Sequence, residues 1–221
     1  MQIVVRIELT EELLGTKPSN DEIFEKFLLT KLPKPEKPKD EAEAAERAMA
    51  EAEDAEESGT TVFHTDALGN PGIWDYQIKG FFKDAAGMLN RADKAESGLE
   101  KLTAHKTKID GLVFVGPRFI KLQMPQGAKL GLCERPLRAD TPQGPRVGLC
   151  RSQTVPVGTA IEFTVSLLSK DLEPYLNRWL EYGQLRGLGC WRNSGKGRFT
   201  VAKYERVATP KVRDAGEGKA Q

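Results

Sequence analysis

Apolar and polar residues follow regular patterns along this chain, and the strictest of them predict β-strands. Residues 2–9, QIVVRIEL, alternate between the two classes, as a strand with one buried face does. Residues 112–115 and 119–123 predict two further strands, one on each side of a Gly-Pro turn. Residues 159–168 alternate again. The chain therefore contains a sheet assembled from segments that lie far apart in sequence.

Other segments have helical periodicity. After Asp75, a plausible N-cap, apolar residues recur every three or four positions. That stripe consists of Ile78, Phe81, Phe82, Ala85, Met88 and Leu89. Residues 171–186 repeat the pattern, with a proline tolerated in the first turn. A shorter helix is predicted to follow the capping sequence at residues 19–22.

Residues 60–65 and 198–204 complete the set of predicted strands. Two insertions interrupt it. Residues 33–59 are rich in Lys, Pro, Ala and Glu and nearly free of large apolar side chains, which predicts a solvated helix or a disordered acidic insertion. Residues 131–153 carry a Thr-Pro-Gln-Gly-Pro turn between two arms that both contain Gly-Leu-Cys, which predicts a protruding β-hairpin.

Without these insertions the order is strand, helix, strand, strand, helix, strand. This order predicts an α+β protein with a ferredoxin-like, RRM-like split βαβ core. We expect one domain over residues 1–206 and a flexible tail over residues 207–221.

Composition changes this picture mainly through charge. The net charge is +1, but the first 100 residues carry 12 Lys and Arg against 22 Asp and Glu, and the remaining residues carry 21 against 10. A basic half favours a polyanionic partner. No apolar run is long enough for a membrane span and no secretion signal is visible, so we expect a cytoplasmic protein that contacts no membrane. Three scattered cysteines indicate buried thiols rather than disulfides or a metal site.

Glycines and cations concentrate in residues 187–199, GLGCWRNSGKGRF, between the last helix and the last strand. The glycine spacing and the residue after Lys196 do not fit a Walker A loop. The helix-to-strand order is the reverse of a dinucleotide fingerprint. The loop is therefore predicted to meet an anion with backbone N–H groups and cations, without a helix dipole.

The candidate binding residues share positive charge, backbone freedom or a stacking surface. They are Lys79, Lys83, Arg135, Arg138, Arg146, Arg151, Gly187, Gly189, Trp191, Arg192, Gly195, Lys196, Gly197 and Arg198. The predicted ligand is RNA or single-stranded DNA, bound without a cofactor or a metal. A side chain folded over its own loop is the alternative for Trp191.

The loop, with its spacing G-x-G-x-x-R-x-x-G-x-G-R followed by a hydrophobic residue, resembles the signature loop of the RAMP superfamily, the RNA-binding proteins of CRISPR effector complexes. Residues 78–87 resemble the first helix of the backbone subunits of those complexes, and the hairpin resembles their thumb. The chain is also similar to prophage-encoded proteins. The resemblance covers residues 1–10 and 60–206, and it implies RNA binding by repeated subunits in a filament or ring.

Some relatives in that superfamily cleave RNA with a histidine base or a loop aspartate. His64, Asp66 and His105 are the available residues, but no paired catalytic constellation is visible. Binding without catalysis is therefore the prediction. A phage protein-interaction or assembly protein, and a metal-independent ribonuclease, are the alternatives.

Overall fold

The computed structural model describes residues 1–19, 60–92, 99–141 and 144–207, without the side chains of residues 137–148. Its strands are β1 Gln2–Leu9, β2 Leu13–Leu14, β3 Lys17–Pro18, β4 Thr60–Val62, β5 His64–Thr65, β6 Pro71–Trp74, β7 Val113–Gly116, β8 Phe119–Gln123, β9 Gly131–Thr141, β10 Gly144–Val155, β11 Ala160–Leu167 and β12 Phe199–Val207. The helices are α1 Asp75–Leu89, α2 His105–Leu112 and α3 Glu173–Arg186.

A seven-stranded sheet forms the centre of the protein. Its strands run in the order β12-β1-β11-β8-β6-β5, with β7 beside β11, and all neighbours are antiparallel. Since β1 pairs with β12 and β11, and β11 also pairs with β7, strands from near both ends and from the middle of the sequence meet in one sheet. The predicted α+β class is confirmed.

The helices bury the apolar face of this sheet. Phe82 of α1 lies between Phe163 of β11 and Trp179 of α3, with ring centroids 6.5 and 5.4 Å away. Phe82 and Trp179 are each no more than 1% exposed. The alternation of β1 is confirmed, because Ile3, Val5, Ile7 and Leu9 are buried against this layer.

The hairpin does not stand alone at its base. Strand β10 pairs with β9 over its length, and near its C-terminal end it also pairs with β2 and with β4. These strands and β3 form a second, five-stranded sheet. Inside it, the Thr61 hydroxyl donates to Gly15 O and lies 2.9 Å from Ser152 Oγ. The hairpin arms are thereby fixed next to the segment 10–16, which also borders the glycine loop.

Several boundaries differ from the prediction. Helix α2 forms where the sequence predicted a polar linker. Ile109 is its one buried side chain, so the helix leaves little periodic signal in the sequence. The N-cap of α1 is Trp74 rather than Asp75, and Met88 at the other end is 40% exposed. The predicted helix after residue 19, the acidic insertion 33–59 and tail residues 208–221 lie outside the described residues, while Val207 belongs to β12.

Candidate nucleic-acid interface

The loop between α3 and β12 folds back on itself, and its glycines make this possible. The Leu188 N–H donates to Gly197 O, and the Gly197 N–H donates to Glu12 O, each at 2.8 Å. A Cβ atom on Gly197 would lie 2.0 Å from Leu188 O, and one on Gly187 would lie 2.4 Å from Lys196 O. Both glycines also have positive φ. No side chain fits at these two positions.

Several backbone amides of the loop donate hydrogen bonds within the protein. The Gly187 N–H donates to Gly183 O at 2.8 Å, and the Gly195 N–H donates to Arg192 O at 2.9 Å. Together with Gly197, three of the four predicted glycines hold the loop in shape. The cationic side chains are further groups through which this loop can meet an anion.

Arg192 is held by a carboxylate from α1. Its Nη1 lies 2.7 Å from Asp84 Oδ2, and Arg186 Nε approaches the same oxygen at 3.8 Å. Arg186 also donates to the side chain of Asn193. One carboxylate thus faces two guanidinium groups. This cluster keeps a net positive charge and ties the loop to α1.

The other two loop cations differ from each other. Lys196 Nζ lies 2.9 Å from Glu12 Oε2, and this hydrogen bond raises the pKa of Lys196 against the opposing effect of burial. Arg198 is exposed, and its guanidinium passes over Gly195. Lys196 therefore secures the loop to the segment after β1, and Arg198 faces solvent.

Trp191 connects the loop to the hairpin. It has a left-handed backbone conformation with φ of 55° and remains 40% exposed. The Arg135 guanidinium of β9 lies 4.9 Å from the centre of its ring, within cation–π range. Arg135 Nη2 also contacts Cys150 Sγ at 3.7 Å. Trp191 is therefore stacked on the hairpin, and the alternative of a ring folded over its own loop gives way to this contact.

Of the other hairpin arginines, only Arg151 has a described side chain. Its Nε lies 2.8 Å from Glu134 Oε1 on the paired strand, and both side chains are about half exposed. The side chains of Arg138 and Arg146 lie outside the described residues. Arg135 and Arg151 come from opposite strands, and Arg135 is the one that reaches the loop, through its contact with Trp191.

Lys79 and Lys83 of α1 point towards α2. Lys83 Nζ forms a 2.6 Å ion pair with Asp110 Oδ1, which lowers the pKa of Asp110. Lys79 donates to Asp110 O at 2.9 Å and lies 5.0 Å from the centre of the Phe114 ring. These lysines belong to a second cationic area, separated from the loop by part of α1.

A groove lies between α1 and the start of α2. It has a volume of about 520 Å³, and its lining includes Lys83, Asp84, Arg91 and Lys106. Because Asp84 also binds Arg192, cations follow one another from the loop along α1 to the start of α2. Sequence periodicity predicted the two α1 lysines but missed Asp84, Glu12 and Lys106, since only the fold brings these side chains to the same surface.

The opposite face of the sheet has a different character. On β1 it presents Val4, Arg6 and Glu8, which pair with Thr164, Glu162 and Ala160 of β11. These two central strands carry no aromatic side chain on that face. An RRM binds RNA by stacking bases on aromatic residues of its sheet. Aromatic rings of this sheet lie further out, on Trp74 of β6 and Phe119 of β8, so the two central strands are not a stacking surface of the RRM type.

The three residues considered for catalysis have structural contacts. His64 packs edge-on against Trp74, and burial lowers its pKa. Asp66 accepts hydrogen bonds from Leu68 and Asn70 in the turn after β5, and mainly the bond from the Asn70 side chain lowers its pKa to about 2. His105 begins α2, with Nδ1 3.5 Å from Asn90 Nδ2. A shared catalytic centre is not evident from these contacts.

Within the described residues, no group of three or more His, Cys, Asp or Glu side chains could hold a metal ion. In the same part of the chain, no helix is long and apolar enough to cross a membrane.

Solved structures show where this fold has been seen before. No family model and no curated protein matches the chain. A chain in the cryo-EM structure of a type III-B Cmr-β complex bound to cognate target RNA matches with a TM-score of 0.52 and 12% identity, over 92% of this chain and 59% of that one. A chain of a type IV-B CRISPR complex matches with a TM-score of 0.47 and 14% identity, over 96% and 95%.

This chain spans little more than half the length of the type III-B subunit it matches. At such low identity the likeness concerns the fold. The expected similarity in fold to a chain of a CRISPR complex is therefore confirmed.

Proposed function

We propose that this protein binds single-stranded RNA, without cleaving it, as a subunit in a CRISPR-related setting. The observation that carries the proposal is the cationic surface that runs from Arg192 and Arg198 on the loop to Lys83 and Lys106 beside α2. Phosphates are the natural ligands of such a row of arginine and lysine side chains. The fold is also shared with a chain in the structure of a complex bound to target RNA.

The loop cations have distinct roles in this proposal. Arg198 is exposed and meets a phosphate directly, whereas Arg192 and Lys196 must share their charge with Asp84 and Glu12. Trp191 is 40% exposed and offers its exposed ring surface to a base, and stacking of this kind is worth roughly 1–3 kcal/mol per base. Electrostatics and stacking are thus available at the same place.

Fluorescence polarisation with a labelled mixed-sequence RNA tests the proposal. Arg192→Gln with Arg198→Gln should weaken binding at least tenfold, since about 1–2 phosphate contacts are lost. The matched control, Arg6→Gln with Lys203→Gln, removes the same charge from the opposite face of the sheet and should change binding by less than about twofold.

A salt titration completes the test. Contacts with about three or four phosphates predict a slope of roughly −2 to −3 for log affinity against log salt. Absence of RNA binding at about 50 mM salt, or equal losses in the two double variants, would contradict RNA binding at this surface. Single-stranded DNA of the same sequence is the comparison ligand, and equal affinity would argue against RNA as the preferred strand.

We also propose that copies assemble side by side on the strand, as a filament or ring. Leu132 and Leu149 on the hairpin are 58% and 51% exposed, and the register places both on the face opposite Arg135. A neighbouring copy would cover them. Light scattering with and without RNA should show RNA-dependent assembly that Leu132→Ser with Leu149→Ser abolishes, and monomers saturating a long RNA would contradict assembly.

A further inference from the structure

A cleft of about 320 Å³ lies between the glycine loop, α1 and β2. Its volume falls at the lower end of the roughly 300–1,000 Å³ typical of small-ligand sites. Its apolar walls come from Leu13, Ile73, Phe81 and Leu188. The loop that carries the cationic site also forms one wall of this cleft, so a strand bound to the loop passes its mouth.

The polar side chains of the cleft retain hydrogen-bond donors after their internal contacts are made. The Trp74 N–H donates to Gln77 Oε1 at 2.8 Å, which turns the amide nitrogen of Gln77 towards Thr16. That nitrogen donates to Thr16 Oγ1 at 2.8 Å. The Thr16 hydroxyl hydrogen and the second amide hydrogen of Gln77 remain to donate, and Arg192 can only donate.

We propose that this cleft receives one base of the bound RNA, turned out of the strand, and that it prefers uracil or guanine, which carry a carbonyl oxygen where cytosine and adenine carry an amino group. The inference rests on the proposed function. The apolar walls contact the ring, the Thr16 and Gln77 donors meet its carbonyl oxygen, and Arg192 lies where the phosphate of the same nucleotide contacts the loop. Cytosine and adenine place an amino donor where uracil and guanine carry oxygen, so they face these donors unfavourably.

Gly80 provides a direct way to fill the cleft. It lines the cleft from α1, it is exposed, and a Cβ atom there would meet nothing within 4 Å. Gly80→Leu therefore adds bulk at the cleft from a position where the new Cβ has room, and it also improves the helix propensity of α1. Gly111 of α2 has the same open surroundings and lies outside the cleft lining, so Gly111→Leu is the matched control.

The test compares labelled oligo(U) with oligo(C) of equal length, two pyrimidine strands that differ in the group facing the donors. The full-length protein should bind oligo(U) about tenfold more tightly, in line with the discrimination expected of a well-placed base contact. Gly80→Leu should reduce that ratio to about one, and Gly111→Leu should preserve it.

Binding of both oligonucleotides without preference, or a preference that survives Gly80→Leu, would overturn the base cleft while leaving RNA binding intact. Absence of binding to either oligonucleotide would overturn the proposed function, and the base cleft with it. These two failures are therefore distinguishable.

The Cys190 thiol gives a second measurement that needs no variant in α1. It is free, exposed and part of the cleft lining. In a Cys133→Ser background, saturating oligo(U) should slow its reaction with a thiol reagent at least several-fold more than oligo(C) does. Equal rates with both oligonucleotides would also overturn the proposal.

Discussion

The carboxylate of Asp84 stabilises the fold through its ion pairs and competes with bound phosphate for the same arginines. The variant Asp84→Asn separates these two effects. Its carboxylate lies 2.7 Å from Arg192 and 3.8 Å from Arg186, and about a quarter to a third of each side chain is exposed. A bound phosphate must compete with this carboxylate for the same guanidinium groups. Asparagine keeps an oxygen that can accept from Arg192 but removes the negative charge.

The magnitudes follow from the partial exposure of the cluster. Two charges about 4 Å apart interact by about 1 kcal/mol in water and about 4 kcal/mol near a protein surface, and exposure places this site towards the lower value. Asp84→Asn should therefore strengthen RNA binding by about 1 kcal/mol, or about fivefold. One more cation available to phosphate should make the salt slope more negative by about 0.7.

The same change should weaken the fold. Loss of a partly exposed ion pair costs about 1 kcal/mol, which corresponds to a decrease of roughly 2–4 °C in Tm for a chain of this size. Fluorescence polarisation across a salt series and thermal unfolding measure the two effects. Glu205→Gln is the control, because it removes one negative charge from the Lys203 pair on the opposite face of the sheet.

Tighter RNA binding combined with a lower Tm is the expected pattern. RNA binding that weakens more than about threefold in Asp84→Asn, with Glu205→Gln unchanged, would refute the reasoning. It would show that the ion pair itself, and not the freed guanidinium, holds the RNA.

Three further predictions concern other parts of the molecule. Gly197→Ala should destabilise the protein by at least about 3 kcal/mol in denaturant unfolding, since positive φ and a clash with the backbone combine. Gly195→Ala should cost only about 1–2 kcal/mol, because its φ is also positive but a Cβ there would make only ordinary contact with the Arg198 side chain; equal losses would contradict this account. RNA should quench the emission of Trp191, and Trp191→Phe should abolish that change; quenching that persists would assign it to another tryptophan. The pKa of Asp66 is lowered, so its carboxylate stabilises the turn above pH 3.8 and loses that effect as the pH falls through about 2. Asp66→Asn should therefore make the free energy of unfolding depend less on pH in this window. An unchanged acid transition would contradict this role.

Much of the fold follows from local pattern. The alternation in β1 and β11 and the helical stripe of α1 predicted these elements within a few residues, because one face of each must be buried. Helix α2 escaped prediction because a single buried residue, Ile109, has no period. The cap of α1 was misplaced by one residue, since the Gln77 side chain accepts from Trp74 N–H and Asp75 pairs instead with Arg118.

The sequence by itself determined the α+β class, the helix-to-strand position of the glycine loop, and the cations that this loop carries. Only the tertiary structure decided what those groups contact. Glycine spacing does not reveal that Gly187 and Gly197 close the loop internally, and charge counts do not pair Arg192 with Asp84 or Arg135 with Trp191. These partners are 108 and 56 positions apart, and their contact depends on where the sheet and the hairpin place them. Local patterns record which face of an element is buried, whereas contacts between distant side chains arise only when the whole chain packs.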